Sequence, residues 1–194
     1  MKQNPLALKN RSKNRNFLIF SFLFIAFFSL YTVSMAQTKV LSVKDLFINP
    51  EKDNYQISPN GEMISYLAPW ENRMNIHVEM NGVVKRITNQ AERDLSTYFW
   101  KGNRRLLFLQ DQKGDENFKL YAVSPDGSNL KNLTPFEQTT ARIVDELKSS
   151  ETDILIALNK RNPQIFDVYR LNTVTGDMKM VAENPGSVSS WVTD

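Results

Sequence analysis

Carboxylates carry most of the chemical potential of this sequence. Asp111, Asp115 and Glu116 crowd into one polar stretch, Asp111 to Asn117 (DQKGDEN), and Asp115-Glu116 is the one acidic pair singled out as a candidate site. The stretch offers several oxygens, but their spacing does not match the Asp-rich pattern of a calcium loop, so no metal and no cofactor are expected. Histidine occurs once, as His77, and cysteine not at all. The lack of cysteine removes disulfides, thiolate metal sites, a cysteine nucleophile and a lipidated N-terminal cysteine. A nucleophilic triad needs a histidine base within reach of both a nucleophile and a carboxylate. His77 lies in what reads as a strand and is expected to pack as an ordinary residue.

The bulk charge points to no polyanionic partner. Five of the 24 basic residues (Lys2, Lys9, Arg11, Lys13, Arg15) precede position 37 in a segment without acids, which leaves 19 against 21 acidic residues. The basic pI of about 9.0 therefore belongs to the leader. No basic stripe with interleaved aromatics comes after it, and no nucleic-acid partner is expected.

That leader has three parts. Residues 1 to 16 are basic and polar, Phe17 to Val33 is apolar with six of the twelve Phe, and Ser34-Met35-Ala36 offers small residues before Gln37. Positive flank, apolar run and small-residue exit make residues 1–36 a secretory signal peptide, cleaved near Ala36-Gln37, with the mature part periplasmic or extracellular. If it is left uncleaved, the same run is long enough to anchor the chain in a membrane. Residues 37–54 read as a lead-in, with a single helical turn capped at Ser42-Val43-Lys44-Asp45 and Leu41, Leu46 and Phe47 packing against the first strands after it.

From residue 55 onward the elements that position the polar groups are strands. Tyr55 to Asn89 holds Gln56-Ile57-Ser58, the turn Pro59-Asn60-Gly61, strands Met63 to Ala68 and Asn75 to Met80 joined by a polar loop, the turn Asn81-Gly82, and Val83 to Thr88. Asn-Gly between apolar residues is a strong hairpin signal, because both turn positions need positive φ. Four antiparallel strands in about 35 residues is the size of a β-propeller blade. The order recurs over 97–135: Thr97 to Trp100, Arg105 to Gln110, Phe118 to Val123 and Leu130 to Thr134. It recurs again over 142–184: Arg142 to Glu146, Asp153 to Leu158, a polar loop at Asn159 to Pro163, Asp167 to Leu171 and Met178 to Ala182.

Thr88 to Thr134 spans 46 positions and Thr134 to Glu183 spans 49, the near-constant phase of a repeat. The look-alike turns Ser58-Pro59-Asn60-Gly61 and Ser124-Pro125-Asp126-Gly127 are out of phase and mark hairpins, not the period. Ser189 to Val192 reads as the first strand of a fourth unit. The fold class expected is all-β, a partial β-propeller of three four-stranded antiparallel blades and the start of another over 55–194. Propellers close with four to eight blades, so the sequence reads as truncated, with an exposed edge that favours opening or aggregation.

The residues also resemble a family. Asn49-Pro50-Glu51 before Ile57 to Gly61, Ser65 to Pro69, Tyr98-Phe99-Trp100, Leu109-Gln110-Asp111 with Gly114 to Asn117, Leu133 to Phe136, and Leu158 to Arg161 with Asp167 to Arg170 are together similar to the N-terminal propeller of prolyl oligopeptidase-family serine peptidases. The closest resemblance is to exported bacterial dipeptidyl aminopeptidases and acylaminoacyl peptidases. It implies a propeller capping a C-terminal α/β-hydrolase domain with a Ser, Asp, His triad. No Gly-x-Ser-x-Gly elbow occurs here; Gly186 to Ser190 lacks the second glycine. None of the family's catalytic residues can be carried over, and the chain alone is not expected to hydrolyse peptides.

The resemblance also implies a role for Asp115 and Glu116, since propeller acids in dipeptidyl peptidases hold the substrate's free amino terminus by charge-assisted hydrogen bonds. The alternative is a polar hairpin loop in which Asp and Asn satisfy turn amides. Asn159, Lys160, Arg161 and Arg170 are candidates to line the same cavity, against the alternative of a solvated rim. Trp70, beside Pro69 in a loop, is the tryptophan expected to be available for contact. The expected partners are a peptide substrate and the hydrolase domain. A second reading is a non-catalytic periplasmic scaffold resembling the TolB propeller.

Overall fold

The computed structural model describes residues 41–193; the signal-peptide assignment to 1–36 and its cleavage point lie outside them. Two compact units are distinguished, divided between Phe47 and Ile48. In the first, Lys44–Leu46 forms one 3-10 turn. It is closed reciprocally, Ser42 N donating to Asp45 Oδ2 and Asp45 N to Ser42 Oγ, both at 3.1 Å. The capped turn expected from sequence is present.

The second unit is all-β. Its strands are β1 (Asp53–Ile57), β2 (Met63–Trp70), β3 (Arg73–Met80), β4 (Val83–Arg86), β5 (Tyr98–Lys101), β6 (Arg105–Gln110), β7 (Lys119–Val123), β8 (Lys131–Asn132), β9 (Ala141–Asp145), β10 (Asp153–Asn162), β11 (Ile165–Asn172) and β12 (Met178–Ala182). They form three four-stranded sheets, each built from four consecutive antiparallel strands. These are the three blades expected from the repeat. Asn81-Gly82 is the β3–β4 turn, with φ of 52° and 76°.

Three expectations are corrected. The polar loop after Ala68 is strand: β2 and β3 pair from Met63↔Met80 to Trp70↔Arg73. Only Glu71-Asn72 remain to turn, both at positive φ (50° and 62°) as a tight twisted hairpin demands. Asn159 to Pro163 is likewise mostly strand, since β10 continues to Asn162 and β11 starts at Ile165. Their polar character misled because this end of the hairpins faces solvent while still pairing. Third, Ser189 to Val192 is not a strand. Among the described residues no neighbouring strand takes its backbone hydrogen bonds, and a strand exists only by pairing. Instead, Asn184 Oδ1 accepts from the amides of Gly186 and Val188, and Trp191 Nε1 donates to Phe166 O at 2.9 Å.

Burial explains the apolar run of β6. Leu106 and Phe108 join Leu67, Ile76, Val78, Tyr98 and Trp100 in one core between the first and second sheets. Leu107, one step along and on the opposite face, joins Leu120, Ile154, Ile156, Leu158 and Leu171 in a second core. A strand covered on both faces loses its alternation and reads as continuously hydrophobic.

Each blade also hooks its following linker with a buried polar side chain near the start of its third strand. Asn75 Oδ1 accepts from Gln90 N and Thr88 Oγ1, and its Nδ2 donates to Gln90 O. Lys119 Nζ donates to the carbonyls of Phe136 and Thr139. Asp167 Oδ1 accepts from Asn184 N. The Thr88 and Thr134 hydroxyls accept from Ile76 N and Leu120 N, which accounts for the threonine recurrence noted in the sequence.

Candidate functional site

The second blade's polar loop faces the third blade across an open groove of about 640 Å³, lined on one side by Asp115 to Phe118 and on the other by Arg142, Asn159 and Phe166. It lies at the end of the sheets where second strands turn into third strands. The floor position is set by β5, whose preceding residues Ser96 and Thr97 also line the groove. β5 is pinned to the first blade: Trp100 Nε1 donates to Ser65 Oγ at 2.8 Å, the Tyr98 hydroxyl lies 2.9 Å from the same oxygen and 2.8 Å from Asn54 O, and Gln56 Nε2 donates to Tyr98 O. Burial pushes the Tyr98 hydroxyl up to about 12, against an opposing hydrogen bond from Ser65.

The two acids singled out from sequence part company. Asp115 Oδ1 accepts from Asn117 N at 3.0 Å and Gln112 N at 3.3 Å, and its Oδ2 accepts from Asn117 Nδ2. Desolvation, the largest single influence, raises its carboxyl, but the hydrogen bonds from Asn117 and Gln112 outweigh it and hold the group below the ordinary carboxylate range. Asp115 is thus a turn-forming residue. Glu116 is different. Its backbone takes positive φ (58°), its N–H donates to Asp111 Oδ2 and its carbonyl accepts from Thr140 Oγ1. Its exposed carboxylate makes no hydrogen bond or ion pair among the described residues. Asp111, buried and paired with Arg93 at 2.6 Å, anchors the loop from beneath.

On the facing wall the Arg142 guanidinium sits 3.8 Å from the Phe166 ring centroid, an arrangement that holds a cation without neutralising it. Neither Arg142 nor Glu116 pairs with the other within 4.0 Å among the described residues. Asn159, buried, accepts from Thr140 N at 2.6 Å and donates to Pro163 O, so it braces the wall.

The remaining sequence candidates are engaged elsewhere. Arg161 makes a two-pronged bond to buried Asp167 (3.0 and 2.8 Å), donates to Asn184 O and approaches Glu183, so it ties a hairpin to its linker. The Arg161 hydrogen bond, more than the opposing desolvation, holds the Asp167 carboxyl below its usual range. Lys160 lies over Phe136 at 3.9 Å, and Arg170 pairs with Asp153. Trp70 ends a strand instead of sitting in a loop, and the Arg86 guanidinium covers its ring at 3.9 Å.

His77 stacks on Tyr66 with centroids 5.7 Å apart, and its Nδ1 lies 3.1 Å from Asn75 O. Burial lowers its pKa, and neither a serine nor a carboxylate is hydrogen-bonded to it among the described residues. Arg142 and Phe166 were missed by sequence reasoning. Nothing local marks them, whereas the Gly-Asp-Glu-Asn string did signal the tight loop that carries Glu116.

Comparison with known proteins places the chain. It is 31% identical to dipeptidyl aminopeptidase BIII of Pseudoxanthomonas mexicana over 164 residues, 82% of this chain and 24% of that protein. This chain is a homologue of the dipeptidyl aminopeptidases. It is also 28% identical over 150 residues to dipeptidyl peptidase family member 6 of Caenorhabditis elegans, covering 72% of this chain and 20% of the relative. The chain therefore spans a quarter or less of the length of these homologues. No family model matches it. Among solved structures, an oligogalacturonate lyase from Vibrio parahaemolyticus superposes with a TM-score of 0.52 at 12% identity over 71% of this chain and 43% of that one, a likeness of fold alone. The described residues are a propeller portion with three blades of the expected order.

Proposed function

We propose that this chain is the propeller portion of an exported serine peptidase of the prolyl oligopeptidase family, and that its groove receives the free amino terminus of a peptide. The observation that carries the reading is the unengaged Glu116 carboxylate, facing a groove whose opposite wall holds an unneutralised Arg142. An aminoacyl group has its ammonium and its carbonyl oxygen close together, and these match an acceptor on one side and a donor on the other. Phe118 and Phe166 offer apolar surface beside them for the first side chain. In this reading Asp115 only shapes the loop, the chain binds without catalysing, and bond cleavage belongs to an α/β-hydrolase domain outside it. Export by cleavage near Ala36-Gln37 completes the proposal and is supported by the order of basic, apolar and small residues before that point.

The test is a titration of the chain with a dipeptide amide carrying a free amino terminus and with its N-acetylated form. Glu116→Gln removes a charge-assisted hydrogen bond, which is worth about 1.5–3 kcal/mol or roughly tenfold or more in affinity; Asp115→Asn is expected to leave binding within about threefold of wild type. Equal binding of the acetylated dipeptide sinks the amino-terminus reading. The peptidase assignment has a separate check in the coding sequence beyond Asp194. A downstream frame with Gly-x-Ser-x-Gly followed by Asp and His supports it, and a genuine end without such a partner opposes it.

A further inference from the structure

A second cleft opens at the other end of the sheets, between the β3–β4 hairpin and the turns of the second blade. Its volume is about 470 Å³, inside the range of small-molecule sites. Buried Met63 and Val78 form its floor. Met80 and Val83 rise from the hairpin, 49% and 70% exposed, and Pro125 stands among the residues of the second blade. No aromatic ring lines it. The rim is braced: Asn60 N donates to Asn103 Oδ1 at 2.8 Å across the blades, and Asn129 Nδ2 donates to Ser124 Oγ.

Charge on the rim is lopsided. Lys85, Arg104 and Asp126 all reach it, but the Asp126 carboxylate is committed to the Ser128 amide at 2.9 Å and hydroxyl at 2.6 Å. Lys85 and Arg104 join no ion pair among the described residues. A methionine-lined trough suits a flexible chain better than a rigid ring, because thioether side chains repack around irregular shapes. Two cations against one carboxylate leave the rim net positive, which favours an acidic head group.

We propose that this cleft binds a medium-chain alkyl carboxylate, with its chain in the trough of Met63, Val78, Met80 and Val83 and its carboxylate between Lys85 and Arg104. The site is independent of the Glu116 groove, so either proposal stands if the other fails.

Titration of the full chain, labelled with 13C at the methionine methyls, with decanoate tests it. Met63 and Met80 signals, assigned through Met63→Leu and Met80→Leu, are expected to shift saturably while Met74 stays still. Decyltrimethylammonium has the same tail and the opposite head, and it is expected not to saturate. Reversing both rim charges (Lys85→Glu with Arg104→Glu) should weaken decanoate at least tenfold and admit the cationic amphiphile. Should that double variant lose its dispersed amide spectrum, Val83→Glu at an exposed position blocks the trough instead and should abolish the shifts. Equal binding of the two amphiphiles, unsaturable shifts across all methionines, or wild-type affinity in the folded variants would overturn the proposal.

Discussion

Ser65→Ala tests the account of how the groove floor is held. Ser65 is fully buried, and its one oxygen meets both the Trp100 indole N–H and the Tyr98 hydroxyl at 2.8 and 2.9 Å. Alanine removes that acceptor. The Trp100 N–H then has no partner among the described groups, and a stranded buried donor costs about 1–3 kcal/mol. Tyr98 keeps Asn54 O, so its share is smaller, about 0.5 kcal/mol. The expected destabilisation is about 2–3 kcal/mol, which at a urea slope of about 2 kcal/mol/M lowers the unfolding midpoint by roughly 1 M.

Tryptophan fluorescence against urea reads it directly, because Trp100 itself is displaced from its environment. A double-mutant cycle isolates the bond: Trp100→Phe should cost at least about 1 kcal/mol less in the Ser65→Ala background than in wild type. A loss under about 0.5 kcal/mol for Ser65→Ala, or additive effects in the cycle, would refute the claim that this oxygen pins the second blade to the first.

Two more expectations concern the same region. The Tyr98 hydroxyl titrates at about 12 in the fold against about 10 in an unfolded chain, so the neutral form is favoured by folding; stability is fully present below pH 10 and falls as pH rises from 10 through 12. Absorbance titration of tyrosinate with parallel unfolding curves should show this slope in wild type and lose most of it in Tyr98→Phe. Gly102 has φ of +54°, and an added Cβ would collide with the Glu151 carboxylate. Gly102→Ala should therefore cost about 1–2 kcal/mol from the left-handed backbone, with the carboxylate swinging aside; recovery of full stability in Gly102→Ala with Glu151→Ala would show that the clash, not φ, was the cause.

How far sequence reached is clearest at the hairpins. Asn81-Gly82 declared itself because two adjacent residues tolerant of positive φ admit little else between apolar runs. Glu71-Asn72 performs the same turn with less permissive residues; the cost is borne by eight paired positions on either side, which only the register reveals. Likewise DILIAL was legible as a strand, but its continuation through Asn159 to Asn162 was hidden by polarity. The fourth-unit strand was an extrapolation of the repeat, and among the described residues Ser189 to Val192 is not paired as a strand.

By itself the sequence determined the all-β class, the number and order of strands in three blades, and the loop in which the acids lie. Those features come from alternation, turn stereochemistry and repeat spacing, all of which act within a few residues or recur at fixed distance. Only the tertiary structure decided that Asp115 serves its own turn while the Glu116 carboxylate is left without a partner among the described residues, that Arg161 is spent on Asp167, and that Arg142 lies over Phe166 on the opposite wall. Each of those outcomes is a competition among partners brought together by chain folding, and hydrogen-bond and charge pairing are settled by which partner arrives within about 3 Å, a distance that no spacing in the sequence encodes.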